Sequence, residues 1–406
     1  MVSGVRQAAR QVVDPLRDFL RAEASGGLVL AVATVAALVW ANSPVGESYF
    51  SWWGRELTVG QGSAALTKDL RHWVNDGLMV VFFFVVGLEI KRELVVGELR
   101  DPRAAALPAI AAVGGVLLPA GLFLAVTAGT PGAGGWGIPM ATDIAFAVGI
   151  LALLGSRVPA GAKLLLLSVA IVDDIIAITV IALAYTDSVS ALWLAAAAGG
   201  LLAVTLMRRL GVASIWPYAV VGVGVWLATL ESGVHATVAG VALGLLTPAD
   251  RVRGRPVLDQ LEHRLHPVSA FVIIPLFALA NAGVAFGGGA LAAAAGDRLA
   301  WGVALGLIVG KTLGIAGTAL LAQRLRVGVL PAGVDAGHLW GVAAIAGVGF
   351  TVSLFISDLA YDDAVLTDTA KFGVFAGSLV SGLLGWAILR ARHRRIRQQR
   401  SGPAAS

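Results

Sequence analysis

The chain has 406 residues, 57% of them hydrophobic and only 14% charged, with a mean hydropathy of +0.83. A soluble domain carries about a quarter charged residues, so this chain cannot cover a water-facing surface and reads as lipid-embedded. The absence of cysteine excludes disulfides, thiolate metal sites and cysteine nucleophiles, and the net charge of +5 is spread over short loops, which argues against nucleic acid.

Residues 1–25, with Arg6, Arg10, Asp14, Arg17, Asp18, Arg21 and Glu23, are too charged for the apolar core of a signal peptide. They read as an amphipathic cytoplasmic helix on the membrane surface. Residues 26–389 form a single transmembrane domain. Its apolar runs predict twelve helices, near 26–42, 73–90, 104–127, 135–154, 162–185, 189–207, 214–230, 233–247, 267–286, 300–322, 338–357 and 370–389. The loop 43–72 contains "SYFSWWGRELTVGQG" and supports either a short β-hairpin or an aromatic belt at the interface. Asp76, in "HWVNDGLMVV", sits near a helix end and reads as an N-terminal cap or as an acid on the ion's route. The last segment, "RARHRRIRQQRSGPAAS" (390–406), is a basic tail expected to be cytoplasmic and disordered.

The basic residues test the topology. With both termini on one side, that side collects 24 of the 30 lysines and arginines, while Arg55, Lys68, Arg71, Arg298 and Lys371 fall on the other and Lys311 lies inside a span. Lysine and arginine favour the cytoplasm. Both termini are therefore expected inside a bacterial inner membrane, with an even number of spans.

Four ionisable residues fall deep in these spans: Asp143, Asp173, Asp174 and Lys311. Asp173 and Asp174 interrupt "LLLLSVAIVDDIIAITVIALAYTD" (164–187) near its midpoint, where an ionised side chain costs at least a few kcal/mol. Each alone is readily explained as half of a structural pair; three acids and one base exceed what one pair needs. Consecutive helical residues project about 100° apart, so the two aspartates cannot share one partner. Upstream, "WGIPMATDIAFAVGI" carries Pro139, which removes an amide donor and opens the helix near Pro139–Thr142. "WGVAAIAGVGF" (340–350) shares Trp, Gly and Phe at the same spacing with "WGIPMATDIAF" (136–146), with Gly347 and Gly349 as weak points. Interrupted segments in corresponding halves point to the central site of a secondary transporter. Carboxylates, backbone carbonyls and the Thr142 hydroxyl suit a small hard cation. Protons and that cation compete for the same oxygens, and competition with alternating access is antiport.

These segments carry a wider resemblance. "FFFVVGLEIKREL" (82–94), "PMATDIAFAVGILALLGSRVP" (139–159), "LSVAIVDDIIAI" (167–178), "SGVHATVAG" (232–240), "LEHRLHPVSAFVIIPLFALANAG" (261–283), "GKTLGI" (310–315) and "GVGFTVSLFI" (347–356) resemble the NhaA-type bacterial sodium/proton antiporters, over roughly residues 12–390. The resemblance implies an all-α polytopic fold of about twelve helices with inverted repeats, in which the fourth and eleventh are interrupted and cross at the membrane centre. It implies that Asp174 is the primary sodium ligand beside Asp173, that Asp143 next to Thr142 offsets the helix ends at the crossing, and that Lys311 pairs with Asp173. Lys311 then either takes part in exchange or only staples two helices. It further implies a pH-sensing cluster of Glu89, Glu93, Glu262, His263 and His266, and a pH-linked His235. By residue type alone, His263 and His266 read as solvated loop side chains.

The expected activity is pH-regulated export of Na+, and also Li+, against more than one incoming proton, electrogenic and without ATP, serving sodium and pH homeostasis. No G-x-x-x-x-G-K-[ST] loop is present, no cofactor beyond the transported ions is expected, and the resemblance together with the hairpin region at 45–70 implies a homodimer. Three other readings compete. Intramembrane aspartyl proteases place their acids on separate helices, usually with Gly-x-Gly-Asp. A retinal protein would explain Lys311 but needs seven spans. A channel or potassium/proton exchanger would share the scaffold.

Overall fold

The computed structural model describes residues 24–401 except 61, 63, 64, 187, 188, 213, 253 and 255. It is mostly helical. α1 (Ala24–Ala41) leads into a short α2 (Gly46–Trp53) and then an antiparallel hairpin of β1 (Glu56–Val59) and β2 (Leu66–Asp69), in register Glu56↔Asp69 to Val59↔Leu66. Of the two readings of this loop, the hairpin is the one formed. Tyr49 of α2 is fully buried, and its hydroxyl accepts from the Gly283 amide at 3.0 Å and lies within 3.0 Å of the Leu279 and Ala280 carbonyls.

The next helix begins at Leu70, where the Asp69 carboxylate accepts the His72 amide, and passes through a π-helical turn (Trp73–Leu78) into α3 (Met79–Val95). Asp76 lies inside that turn, with its carbonyl accepting Trp226 Nε1 at 2.7 Å. It therefore does not cap the helix: the helix starts earlier than the hydropathy suggested, and Asp69 holds the capping position. α4 (Pro102–Thr127) follows. The fourth expected span is a broken pair: Pro131–Met140, made of 3₁₀ turns, then α5 (Ile144–Leu154) running on to Arg157, bent by 46°. Its Gly- and Pro-rich first half cannot sustain a regular α-helix. α6 (Ala160–Ala184), α7 (Ala191–Arg209), α8 (Ile215–Glu231), α9 (Thr237–Leu246), α10 (Val257–Asn281) and α11 (Arg298–Arg324) come next. The eleventh expected span is the second broken pair, α12 (Ala336–Ile345) and α13 (Phe350–Ala360), bent by 45°, before α14 (Ala364–Ser401).

Seven of the described helices are long and apolar enough to cross a membrane, and the two bent pairs bring the number to nine. The remaining three of the twelve expected runs fall on α3 with its preceding turn, α8 and α9. Large side chains such as Leu183 and Leu192, each 78% exposed, face outward, as lipid contact requires and water does not permit in such numbers.

The expected surface helix over 1–25 lies outside the described residues except for its last two, which open α1. The tail is not disordered from 390: α14 continues to Ser401, and Arg392 reaches Asp335 through Nε at 3.0 Å and Nη2 at 2.7 Å. A basic run read as solvated chain thus has a tertiary acid to dock on.

Two glycine contacts set the helices that carry the site. Gly114 of α4 and Gly314 of α11 bring their backbones together, and a side chain on either would strike the other helix. Within α11, another π-helical turn (Gly306–Gly310) lies against Pro119 and Pro139. That turn ends at Lys311, so it delivers the lysine beside the break in the fourth span.

Candidate functional site

The two breaks meet. In the first, residues 141–143 are extended; in the second, residues 346–349 are a turn. The Asp143 amide donates to the Val348 carbonyl at 2.6 Å, and Thr142 Oγ1 donates toward the Ala346 carbonyl at 2.9 Å. Phe146 and Phe350, equivalent in the two aligned segments, touch edge to face at 5.0 Å. Backbone groups freed at each break are thus satisfied by the other, which is what permits irregular chain at this depth.

Asp143 holds both half-helices by their N-termini. Its Oδ1 accepts the Phe146 amide of α5 at 3.0 Å; its Oδ2 accepts the Thr351 amide of α13 at 3.0 Å and the Thr351 hydroxyl at 2.6 Å. The aligned position in the second segment is Gly347, so one carboxylate serves two positive helix ends. Thr351 was not singled out in the sequence. It lies inside "GVGFTVSLFI", but a lone threonine gives no signal until a second helix brings an acid to it.

Asp173 and Asp174, neighbours in α6, face different surroundings. Asp173 is fully buried, and its Oδ2 accepts from Lys311 Nζ at 2.5 Å and from Thr142 Oγ1 at 2.7 Å. Its Oδ1 is buried and has no hydrogen-bond partner among the described residues. Lys311 is likewise fully buried. A buried ion pair is tolerated only when its geometry is good and its remaining lone pairs are bonded. Here one oxygen carries two donors and the other carries none, which leaves the pair incompletely compensated.

Asp174 instead lines a cavity of ≈ 60 Å³ together with Thr142, Asp143, Thr351, Glu89 and His266, room for a few waters. Asp173, Glu89 and Asp143 act on it as like charges and Lys311 as the opposite one. The cavity is walled on one side by Phe82–Glu89 of α3 and on the other by His266–Ile274 of α10.

The remaining predicted residues divide. Glu89 and His266 reach the cavity. Glu262, 6% exposed, forms an ion pair with Arg92, which the sequence does not mark as a site residue, and its buried Oε2 has no partner among the described residues. Glu93 accepts the Glu98 amide at 3.1 Å and His263 is exposed. His235 is elsewhere: its Nε2 lies 2.5 Å from the Tyr185 carbonyl, beyond the C-terminal end of α6.

Comparison with known proteins gives one answer. The family model described as Na+/H+ antiporter 1 matches residues 17–389. The Na(+)/H(+) antiporter NhaA 3 of Frankia alni is 46% identical over 425 residues, covering 97% of this chain and 92% of the relative. The NhaA 2 antiporter of Erythrobacter litoralis is 49% identical over 375 residues, covering 92% and 93%. The NhaA antiporter of Bordetella parapertussis is 49% identical over 382 residues, covering 92% and 96%.

Proposed function

The chain belongs to the Na+/H+ antiporter 1 family of multi-pass bacterial membrane proteins, and from that membership we propose that it exports cytoplasmic Na+, and also Li+, in exchange for external protons through the site at the crossed breaks. The observation that carries the assignment is the fully buried Lys311–Asp173 pair beside the cavity holding Asp174. Asp174 is the primary Na+ ligand. Asp173, the Thr142 hydroxyl and carbonyls of the broken segments supply further oxygens of the kind a hard cation takes.

Lys311 occupies the Asp173 oxygen that Na+ needs. When Na+ enters, the pair loosens and the lysine, desolvated among apolar neighbours, gives up its proton. When Na+ leaves, protons return to Lys311 and to Asp174, and the two acids exchange protons as a coupled unit. More than one proton then enters per Na+, so each cycle moves net charge and responds to the membrane potential. Neither nucleotide nor cofactor takes part.

In this reading twelve spans cross the inner membrane, α3, α8 and α9 among them, and both termini are cytoplasmic, where 24 of the 30 basic residues then lie. Glu89, Glu93, Glu262, His263 and His266 set the pH response at the cytoplasmic mouth, and His235 adjusts it from the far end. Histidine supplies the charge change between pH 5 and 8. Two copies associate through the hairpin.

The test is purified protein in proteoliposomes containing a pH-sensitive dye, with Na+, Li+ or K+ added outside. Na+ and Li+ should drive proton movement and K+ should not, and Asp174→Asn should abolish the response. Unchanged Na+-driven flux in Asp174→Asn refutes the site. His263 and His266 substitutions should shift the pH profile and leave a maximal rate.

A further inference from the structure

The end of the bundle remote from Glu89 and His266 holds a second buried ion pair that the exchange site does not use. Lys371 of α14 is 2% exposed, and its Nζ lies 2.8 Å from Asp358 Oδ1 on α13. Asp358 Oδ2 stands 3.5 Å from Asn75 Nδ2. Asn75 in turn exchanges amide hydrogen bonds with Asn281: Asn281 Nδ2 donates to Asn75 Oδ1 at 2.7 Å, and Asn75 Nδ2 donates to Asn281 Oδ1 at 3.2 Å. One polar chain therefore joins the turn before α3, the end of α10, α13 and the start of α14.

Its position follows from the helices it joins. Asn75 precedes the cavity-lining stretch of α3, and Asn281 follows that of α10, so the chain lies past the cavity toward the hairpin. Between them sit three packed rings, with Phe355 centred 5.4 Å from Phe83 and 6.1 Å from Phe277. α13 is also the half-helix whose N-terminus Asp143 holds. It is fastened at the site by Thr351 and again at Asp358, about 10 Å further along at 1.5 Å per residue.

We propose that the Asp358–Lys371 pair, backed by Asn75 and Asn281, bolts the hairpin-side wall shut while the site is open toward Glu89, and that it must part for Na+ to leave. This rests on the reading that one site is exposed alternately to the two sides. A second arrangement is already provided. Asp368 stands three residues before Lys371 and interacts electrostatically with Lys371, Arg71 and Asp358, and both Arg71 and Asp358 act on Tyr49. Arg71 Nε is buried and has no hydrogen-bond partner among the described residues. When α13 moves off, Lys371 has Asp368 at helical spacing and Asp358 has Arg71. Opening then strands no buried charge, whose isolation would otherwise oppose it. Two alternative sets of partners are what a two-state wall needs.

The natural lack of cysteine makes access measurable. A Val352→Cys variant places one thiol in the cavity wall, and a membrane-impermeant cationic thiol reagent is applied to oriented vesicles from the hairpin side. Labelling should be slow with the pair intact and at least tenfold faster when Asp358→Asn is added. It should be slow again in the exchanged pair Asp358→Lys with Lys371→Asp, and should stay slow in Lys371→Arg. Labelling from the Glu89 side at an unchanged rate certifies the fold; where Asp358→Asn fails that control, Lys371→Gln replaces it with the same expectation. Equal rates from the hairpin side with and without the pair overturn the bolt, as does fast labelling of the exchanged pair. Na+-driven proton flux in the parent is read separately: its absence removes the exchange reading, whereas its presence with unchanged labelling removes only the bolt.

Discussion

At Asp173 two donors meet on one oxygen, and the Thr142 hydroxyl has a single proton for two acceptors, Asp173 Oδ2 and the Ala346 carbonyl. If Asp173 gains a proton, it can donate to Thr142, which then gives its own to Ala346, and the Thr142 hydroxyl and the Ala346 carbonyl both keep a partner. Thr142 is thus suited to both protonation states. Thr142→Ser should keep exchange, whereas Thr142→Val should raise the apparent KM for Na+ about tenfold, equivalent to ~1.4 kcal/mol. Lys311 shows the same logic more severely. Lys311→Met leaves a fully buried carboxylate unpaired and should cost about 3–5 kcal/mol of stability. Combining it with Asp173→Asn should recover much of that loss without restoring transport. Thermal unfolding in detergent, read beside vesicle flux, separates the two effects.

Among the elements, the broken spans depend on capping more than on propensity. Asp143 accepts three donors from two half-helices, so Asp143→Ala removes two caps at once and should destabilise by about 2–3 kcal/mol. Asp143→Asn, which keeps the acceptor shape, should fall between, and the thermal midpoint ranks the three proteins. At the start of α12, Asp335 is held by Arg392 and by His338, whose amide donates at 3.1 Å. Burial pushes its carboxyl up, but these bonds more than offset it and hold the group below the ordinary value of 3.8. A depressed carboxyl contributes stability that is fully present above its unfolded value and is lost as pH falls through the folded one. Docking of the basic end of α14 should therefore be constant from neutral pH down to about 4 and weaken only below it. Proteolysis of the tail in Arg392→Ala should match wild type below that window and exceed it above.

For the whole molecule, the hairpin is the part least explained by one chain. β1 is exposed along its length, and Thr58 and Thr67 join across the strands at 2.8 Å on an open face. A two-stranded ribbon is marginal alone and presents unpaired edges, which a second copy related by a twofold axis would cover. If two copies associate through the hairpin as proposed, light scattering should show a dimer that becomes a monomer when residues 56–69 are deleted. Na+-driven proton flux should persist, because no site residue lies in the hairpin.

The amino-acid pattern alone carries the membrane class, the positions of both breaks and the four deep ionisable residues, because a charge or a proline inside an apolar run conflicts with lipid wherever the chain goes. It places Asp173 and Asp174 on different faces by helical geometry. It does not reveal that Thr351 completes the Asp143 cap, that Arg92 pairs with Glu262, that Asp335 orders the tail, or that Glu89 and His266 reach the same cavity as Asp174. Each of these joins residues far apart in sequence through side chains whose types are ordinary on their own. Helix packing, set by contacts such as Gly114 against Gly314, decides which of them meet.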